Sequence, residues 1–210
     1  MSGQWAAEGV PIDILEFNVA QFVDPSDLVD AFQRIRDSGV RQRLPIVFWD
    51  EFDTPVGGRE LGWLARFLAP MQDGTFLHDG AERPIGSAVF VFARGTHSTL
   101  ASFVERAVTV PGAKATDFLS RLRGHVDVLG PNPRDERDDG HLLRRALLIR
   151  GLLVQRAPQL IRESNLNIDE GVLNALLNVP RYLHGARSIE AIIEMSALPG
   201  RLRFERSLLP

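Results

Sequence analysis

The chain has 210 residues, of which 24 are basic and 27 acidic, so its formal net charge is −3. This length suits one large domain, or one domain with a small second one, and the near-balanced charge gives no general reason to expect nucleic acid as a partner. Because the sequence contains no cysteine, disulfides, zinc–thiolate sites and cysteine nucleophiles are excluded.

The apolar residues are not arranged to cross a membrane or to direct export. No apolar run approaches the roughly 18 to 20 residues that span a bilayer, and the first residues carry no basic-then-apolar signal pattern. We therefore expect a cytoplasmic protein without a membrane partner.

The first part of the chain predicts a strand–helix–strand unit. Residues 12–19 are rich in β-forming side chains and predict a strand. Apolar residues recur at helical spacing over 27–38, with cap chemistry around Asp24 and a predicted C-cap at Gly39. A second strand over 44–49 follows, and this order favours a parallel sheet.

The strand over 44–49 is an unbroken apolar run that leads directly into Asp50 and Glu51. Such a run is typical of a strand buried on both faces, and charges beside it usually have a partner or a function. Two interpretations are open: a metal ligand and a general base of a nucleotide hydrolase, or acids that cap the following loop. Asp53 is interpreted as a solvated or capping acid.

The middle of the chain predicts a helix over 60–71, a hairpin arm at Thr75–His78 and a second central strand over 87–93. This strand ends in a polar tip, Arg94-Gly-Thr-His97. If the strands are parallel, we expect the tip at the same edge of the sheet as Asp50. Otherwise it is a loop that caps a helix over 98–108.

A short helix over 115–122 and a last strand over 125–129 complete the sheet region. A charged, turn-like linker over 134–139 predicts a domain boundary after Pro133. Beyond it the pattern is helical throughout, and the arginines of 134–150 are interpreted as a solvated face. The predicted helices cover 141–155, 171–177 and 187–197.

Taken in this order, the elements resemble the AAA+ ATPases, and most of all their Clp/HslU-like branch. Residues 46–51 resemble the Walker B strand, and residues 67–96 resemble a helix, an Asp-Gly hairpin and the sensor 1 strand. The segment 117–123, with its Phe-x-x-Arg pattern, is similar to the arginine-finger segment. Gly-Ala-Arg at 185–187 resembles sensor 2. The likeness covers about residues 12–198.

The resemblance implies an α/β fold, a partial AAA+ three-layer parallel sheet over 1–133, followed by a small all-helical lid domain over 134–200 and a tail over 201–210. It implies ATP and Mg²⁺ as cofactors. It also implies assembly with like or related AAA+ subunits in a ring such as a hexamer, acting on a protein client that the motifs do not specify.

Three site residues are implied at the sheet edge. Asp50 matches the acid that holds Mg²⁺ and the nucleotide, and Glu51 matches the one that orients and deprotonates the attacking water. Thr96 matches sensor 1, which contacts that water and the γ-phosphate. The alternative for Thr96 is a cap of the helix over 98–108.

Three arginines are implied at the nucleotide. Arg121 is the arginine-finger candidate, which reaches a neighbouring subunit's nucleotide, and Arg123 is the second choice. Arg187 matches sensor 2. The alternatives are a helical pair between Asp117 and Arg121 and a surface position for Arg187.

The family's phosphate loop is missing from the resemblance. Gly-x-x-x-x-Gly-Lys-Ser/Thr occurs nowhere, and the only lysine, Lys114, follows Pro-Gly-Ala. That loop wraps the phosphates with backbone N–H groups and a lysine. The chain is therefore interpreted as the ATPase core of an oligomeric AAA+ protein without its N-terminal part, as a fragment, a truncated product or a split subunit.

Two other functions remain open. The first is a non-hydrolysing AAA+-like interaction module that donates an arginine finger to a partner. The second is a metal-dependent nuclease built on Asp50, Glu51 and Asp53, for which no further acidic cluster is evident. Residues 20–25 lack the aromatic–glycine pattern of a substrate-gripping pore loop, so Phe22 is expected in the core.

Overall fold

A three-stranded parallel sheet lies at the centre of the first half of the computed structural model, which describes residues 9, 11–97 and 99–210. The described residues contain seven strands: β1 (Ile12–Asn18), β2 (Leu44–Asp50), β3 (Thr75–His78), β4 (Ala81–Pro84), β5 (Val89–Ala93), β6 (Ile161–Arg162) and β7 (Asn165–Leu166). They also contain seven α-helices: α1 (Pro25–Val40), α2 (Leu64–Gln72), α3 (Leu100–Ala107), α4 (Ala115–Leu119), α5 (Gly140–Arg156), α6 (Glu170–Asn178) and α7 (Ala186–Met195).

The sheet has the order β1–β2–β5, so the strand that carries Asp50 is in the middle. Both pairings are parallel, and Asp50 lies in register with Asn18 on one side and Ala93 on the other. The prediction of a mixed α/β chain with a parallel sheet is confirmed.

An aromatic core on one face of the sheet holds β2 in place. Trp49 is fully buried, stacks on Phe17 with ring centroids 5.0 Å apart, and meets the edge of Phe67 at the same distance. Val47 is also fully buried, whereas Ile46 and Phe48 on the opposite face are only half-buried. The expectation of a strand buried equally on both faces is therefore wrong. Phe22 packs against this core, as predicted, with its ring 5.8 Å from that of Trp63.

Local cap and turn chemistry is confirmed at two places. The Asp24 carboxylate accepts a hydrogen bond from Ser26 N at 2.7 Å and forms a capping box with Asp27 at the start of α1. The strands β3 and β4 form the predicted hairpin, and its turn residues Asp79 and Gly80 have φ angles of 52° and 73°, as a type I′ turn requires.

Three sequence predictions are wrong. Helix α1 continues through Gly39 to Val40, because Gly39 keeps a helical backbone and does not enter the left-handed region that ends many helices. Strand β5 is an outer strand of the sheet, with β2 as its neighbour, and is not central. Residues 125–129 form no strand. Val126 and Val128 are 84% and 87% exposed, and no other described strand lies beside this segment to complete a ladder.

The chain divides into two compact units between Asp127 and Val128, whereas the sequence places the boundary between Pro133 and Arg134. Residues 130–133 belong to the second unit because their backbone is bonded into it. Arg144 donates to the carbonyls of Gly130 and Asn132, and the Asn132 side chain exchanges two hydrogen bonds of 2.8 Å with the backbone of Tyr182.

The second unit contains α5, α6, α7 and the short β6–β7 hairpin, so it is not purely helical. Residues 201–210, which the sequence sets apart as a tail, bring Phe204 and Leu208 into its core. Arg145 is fully buried, so the interpretation of its segment as a solvated face is wrong at this residue. It lies on the same buried side of α5 as Ile149 and Leu153.

No helix among the described residues combines the length and the apolar character needed to cross a membrane.

We expect the stability of the second unit to depend on pH through Asp138. Hydrogen bonds from the Arg144 guanidinium, the shortest at 2.6 Å, and from Arg134 N hold the pKa of this carboxyl well below its usual range. A carboxyl group whose pKa is lower in the folded state than in the unfolded state stabilises the fold when it is ionised. This contribution is complete above the unfolded-state pKa of about 3.9. That stabilisation is then lost as the pH falls toward the folded value.

The comparison of the wild type with Asp138→Asn measures this effect. The difference in free energy of unfolding should be constant near neutral pH and should shrink as the pH falls below about 5. Asp139→Asn is the matched control, since the Asp139 side chain caps no backbone N–H. The free energy of unfolding of this variant should change with pH in the same way as that of the wild type. A wild-type-minus-Asp138→Asn difference that is independent of pH would contradict this role.

Candidate functional site

The C-terminal ends of β2 and β5 lie side by side, at the edge of the sheet where the strands end. Because the two strands are parallel and Asp50 is in register with Ala93, the residues that follow each strand leave the sheet side by side. The prediction that the polar tip Arg94–His97 shares an edge with Asp50 is confirmed.

Asp50 and Glu51 are both exposed at this edge. One carboxylate oxygen of Asp50, Oδ1, accepts a hydrogen bond from Glu51 N at 3.0 Å, and Glu51 N is also 3.0 Å from the carbonyl oxygen of Ala93. The second Asp50 oxygen, Oδ2, makes no hydrogen bond to a described residue. The Asp50 carboxylate therefore keeps a free oxygen at the end of the central strand.

Glu51 turns the chain sharply away from the sheet. Its φ of 52° lies in the left-handed region, which is uncommon for a residue with a side chain. Its carbonyl accepts two hydrogen bonds from Thr54, one from N at 3.1 Å and one from Oγ1 at 2.7 Å. These bonds fix the backbone of the loop after β2.

Glu51 and Thr96 line the same open cavity of about 460 Å³. Thr96 is exposed, and its hydroxyl bonds to none of the described residues. The alternative that Thr96 caps the next helix is wrong, because the cap of α3 is Thr99, which forms a capping box with Ser102. The structure thus brings two of the predicted catalytic side chains to one cavity from two adjacent strands.

Asp53, which also lines this cavity, faces the guanidinium of Arg94. The side chains of Arg94 and Asp53 are 10% and 9% exposed, and Arg94 Nη1 lies 3.9 Å from Asp53 Oδ2. Asp53 is therefore not the solvated acid that the sequence suggests. Burial lowers the pKa of Arg94 from its usual value, and the carboxylates of Asp53 and Asp127 oppose that shift.

Arg94 also fixes the loop that carries Thr96. Its guanidinium contacts His97 Nδ1 at 2.6 Å, donates to the carbonyl of Thr99 at 3.0 Å and lies 4.0 Å above the ring of Phe103. Since Arg94 also faces Asp53, one side chain joins the loops that follow β2 and β5. The sequence places an arginine directly after the apolar run of β5, but it does not show that this arginine faces Asp53.

We expect a double-mutant cycle to detect this link. Arg94→Met and Asp53→Asn should each lower the free energy of unfolding, with a coupling energy of about 1 kcal/mol or more because both groups are covered. Denaturant unfolding monitored by tryptophan fluorescence measures it, since Trp49 and Trp63 are buried in this unit.

The control cycle uses Arg106→Met and Glu60→Gln. Arg106 bonds both carboxylate oxygens of Glu60, at 3.0 and 2.7 Å, on the rim of the cavity. Both side chains are about half exposed, so their coupling should be below about 1 kcal/mol. A coupling between Arg94 and Asp53 that is no larger than this would contradict the proposed link.

The two arginine-finger candidates differ in how they are held. Arg121 donates to the carbonyl of Asp117 and to the side-chain oxygen of Gln72. The suggested pair with the Asp117 carboxylate is not formed, and that carboxylate lies 3.9 Å from Lys114 Nζ. Arg123 is exposed and bonds to no described side chain or backbone group. Arg121 is thus anchored within its own unit, and Arg123 is the freer of the two.

Arg187 lies in the first turn of α7, in the second unit, and is exposed. The preceding Gly185 has φ 57° and ψ −129°, a backbone conformation that glycine adopts far more readily than other residues. The Gly-Ala-Arg sequence therefore has a local structural reason for its glycine. Its arginine makes no hydrogen bond to the described residues.

Asp50 fits Mg²⁺, one of the two groups that the resemblance implies. Its free carboxylate oxygen suits a cation that usually takes one or two carboxylates and completes its shell with waters and phosphate oxygens. The described residues contain no group of three or more His, Asp or Glu side chains arranged to hold a metal. Asp50 would therefore hold Mg²⁺ only together with a bound phosphate.

The residues of this chain do not fit the phosphates of ATP in the same way. A phosphate cradle needs a glycine-rich loop of backbone N–H groups and a lysine, and the sequence contains no such motif. The chain thus presents two carboxylates and a hydroxyl at one edge, without the loop that would hold the nucleotide.

In comparisons with known proteins, no family model matches the chain and no curated protein is significantly similar to it.

Proposed function

We propose that this chain provides the Walker B and sensor 1 half of an ATP site in an oligomeric AAA+ ATPase. The loop that binds the phosphates is supplied by polypeptide outside these 210 residues. In this proposal the first unit is a partial AAA+ α/β core, and the second unit is its lid. The oligomer is a ring of like or related AAA+ subunits.

One observation carries the proposal: Glu51 and Thr96 reach one cavity from the ends of adjacent parallel strands. A general base and a water-positioning group that act on one water molecule must face the same site. The free oxygen of Asp50 on the same edge supplies a ligand of the type that Mg²⁺ prefers. The ordered likeness of the motifs to the AAA+ family agrees with this arrangement.

Each residue has a defined task in the proposed reaction. The Glu51 carboxylate accepts the proton of the attacking water, and the Thr96 hydroxyl bonds to that water and orients it. Asp50 binds the metal, and Arg94 keeps the loops of Glu51 and Thr96 at a fixed spacing. When bound, Mg²⁺ neutralises the charge that develops on the transferring phosphoryl group.

A second candidate function is a non-hydrolysing AAA+-like module that donates an arginine to the nucleotide of a partner subunit. The exposed and unbonded state of Arg123 favours it. The anchoring of Arg121 to Gln72 and Asp117 makes Arg123 the better donor in this case. Arg123→Ala should then remove any stimulation of the partner's ATPase activity, whereas Arg121→Ala should not.

The reading frame upstream of the Met1 codon tests the proposal. We expect an in-frame Gly-x-x-x-x-Gly-Lys-Ser/Thr, and the longer chain that includes it should hydrolyse MgATP. If the motif is absent there, the present chain should still complete the site of a Clp/HslU-like subunit. No motif, together with no effect on the ATP hydrolysis of such a subunit, would refute the proposal.

A further inference from the structure

The contact between His97 and Arg94 determines which ring nitrogen of His97 carries the proton. Arg94 Nη1 lies 2.6 Å from His97 Nδ1. A guanidinium has only donors, whereas a neutral imidazole has one donor nitrogen and one acceptor nitrogen. Nδ1 must therefore accept the hydrogen bond from Arg94, and the ring proton is then on Nε2. The contact thus selects the tautomer in which Nε2 is the donor.

The ring of His97 is held in a fixed orientation. It meets the ring of the buried Phe103 at an edge, with the ring centroids 6.0 Å apart. Arg94 lies 4.0 Å above the same Phe103 ring and faces Asp53. The imidazole is therefore fixed by packing and by a guanidinium that is itself held in place. A donor that is fixed before the ligand arrives needs no reorganisation during the reaction.

His97 keeps one donor available to the cavity that it lines together with Glu51 and Thr96. Its ring makes a hydrogen bond with Arg94, and Nε2 bonds to none of the described residues. Thr54 also lines the cavity, but its hydroxyl donates to the carbonyl of Glu51. Among the uncharged side chains that line the cavity, Thr96 and His97 therefore hold the donors that remain for a ligand.

The two arginines near the cavity are balanced by carboxylates. Arg106 bonds both carboxylate oxygens of Glu60 on the rim, and Arg94 Nη1 lies 3.9 Å from Asp53 Oδ2. Each guanidinium thus faces an opposite charge of its own chain. A negatively charged oxygen in the cavity therefore depends on uncharged donors for its hydrogen bonds.

A phosphoryl group in this cavity would need such a donor. Its oxygens accept hydrogen bonds and do not donate them. In the proposed reaction, Glu51 and Thr96 are both engaged with the attacking water. The Nε2–H group of His97 is then the uncharged side-chain donor that remains for a phosphoryl oxygen.

We propose that His97 donates a hydrogen bond from Nε2 to an oxygen of the phosphoryl group that is transferred from ATP, and that Arg94 holds the ring in the tautomer that this bond requires. The inference rests on the proposed function and adds a donor to that site. Negative charge is spread over the phosphoryl oxygens in the transition state, so a donor fixed there lowers the barrier. The proton stays on Nε2 throughout.

Two amide variants separate the roles of the two ring nitrogens. Asparagine places its amide near the position of Nδ1, so His97→Asn keeps an acceptor for Arg94 and loses the Nε2 donor. Glutamine places its amide nitrogen near the position of Nε2, so His97→Gln keeps the donor and loses the acceptor for Arg94. A catalytic and a merely structural His97 therefore predict opposite orders of activity for the two variants.

Stability and turnover should rank the two variants in opposite ways. In denaturant unfolding of the 210-residue chain, His97→Asn should match the wild type and His97→Gln should be less stable. In the chain together with polypeptide that carries the phosphate loop, His97→Asn should lower kcat for MgATP hydrolysis about 10²-fold with little change in KM. His97→Gln should there keep most of the wild-type rate. His78→Asn, on the β3–β4 hairpin, is the control and should change neither quantity.

Nitrogen-15 NMR of the imidazole rings gives a readout that does not depend on activity. At neutral pH, the ring signals that are absent from His97→Gln should show a protonated Nε2 and an unprotonated Nδ1 in the wild type. Arg94→Met should convert this state into a mixture of tautomers, because Nδ1 then has no donor from Arg94. A wild-type ring with a proton on Nδ1, alone or together with one on Nε2, would overturn the proposal.

The outcomes distinguish this inference from the proposed function. If the completed site hydrolyses MgATP and His97→Asn does so at the wild-type rate, the role of His97 is refuted and the ATP site stands. Lower activity of His97→Gln than of His97→Asn would show a structural role and would also refute the inference. If the wild-type site does not hydrolyse MgATP, the ATP site is refuted and the role of His97 falls with it.

Discussion

Glu51→Gln should lower MgATP hydrolysis by about 10²- to 10⁴-fold in the complex that contains the phosphate loop, because the amide cannot accept the proton of the attacking water. MgATP binding should stay within a few-fold of the wild type, since Glu51 is not a metal ligand in this account. Steady-state turnover together with calorimetry measures both quantities.

Glu60→Gln is the matched control for this variant. Glu60 lines the same cavity, but both of its carboxylate oxygens bond to Arg106 on the rim. Its amide variant should therefore hydrolyse MgATP nearly as well as the wild type. Equal losses of MgATP hydrolysis in the two variants would contradict a specific role of Glu51. Hydrolysis by Glu51→Gln at the wild-type rate would exclude Glu51 as the general base.

Arg145→Ala should destabilise the second unit by about 3 kcal/mol or more. The fully buried guanidinium donates to the carbonyls of Pro131, Leu177 and Val179 at 2.8, 2.5 and 2.5 Å. It also lies 5.0 Å above the ring of Tyr182. Its removal leaves one buried and two part-buried carbonyls without this donor and opens a cavity between α5 and the turn before α7.

The single tyrosine of the chain makes this effect measurable in one unit. Tyr182 is the only tyrosine, so fluorine labelling of tyrosine gives one signal that reports unfolding of the second unit. Arg150→Ala is the control on the same helix, because exposed Arg150 makes only one hydrogen bond, to the carbonyl of Ser164. Similar stabilities of the Arg145→Ala and Arg150→Ala proteins would contradict the role assigned to Arg145.

Strands, turns and caps were predictable where they depend on residues close together in the sequence. The strands β1 and β2 follow from runs of β-forming residues, and the β3–β4 hairpin follows from Asp79-Gly80. These signals act within a few residues and need no knowledge of the remainder of the chain. The same holds for the capping box at Asp24.

The sequence predictions that were wrong depend on contacts between residues far apart in the sequence. The apolar pattern of β5 equals that of β2, and only the pairing order decides that β5 is at the edge. Residues 125–129 have the composition of a strand, but they pair with none of the described strands. Helix α5 is apolar on more than one side, so periodicity does not indicate which arginine faces the core, and Arg145 was assigned to solvent.

The candidate site was predictable in part for the same reason. Asp50, Glu51 and Thr96 follow directly from two apolar strands, and the parallel pairing places them at one edge. The pair of Arg94 with Asp53 depends on the spacing of two loops, which no sequence pattern encodes. The hydrogen bond of Arg121 to Gln72 likewise joins two separate helical segments.

Calorimetric titration of MgATP tests the central claim most directly, with the 210-residue chain alone and with the chain together with polypeptide that carries the loop Gly-x-x-x-x-Gly-Lys-Ser/Thr. The account predicts no detectable binding by the chain alone at micromolar ATP, and binding once the loop is present. Binding at micromolar ATP by the chain alone would contradict it. So would the absence of binding when that loop is supplied.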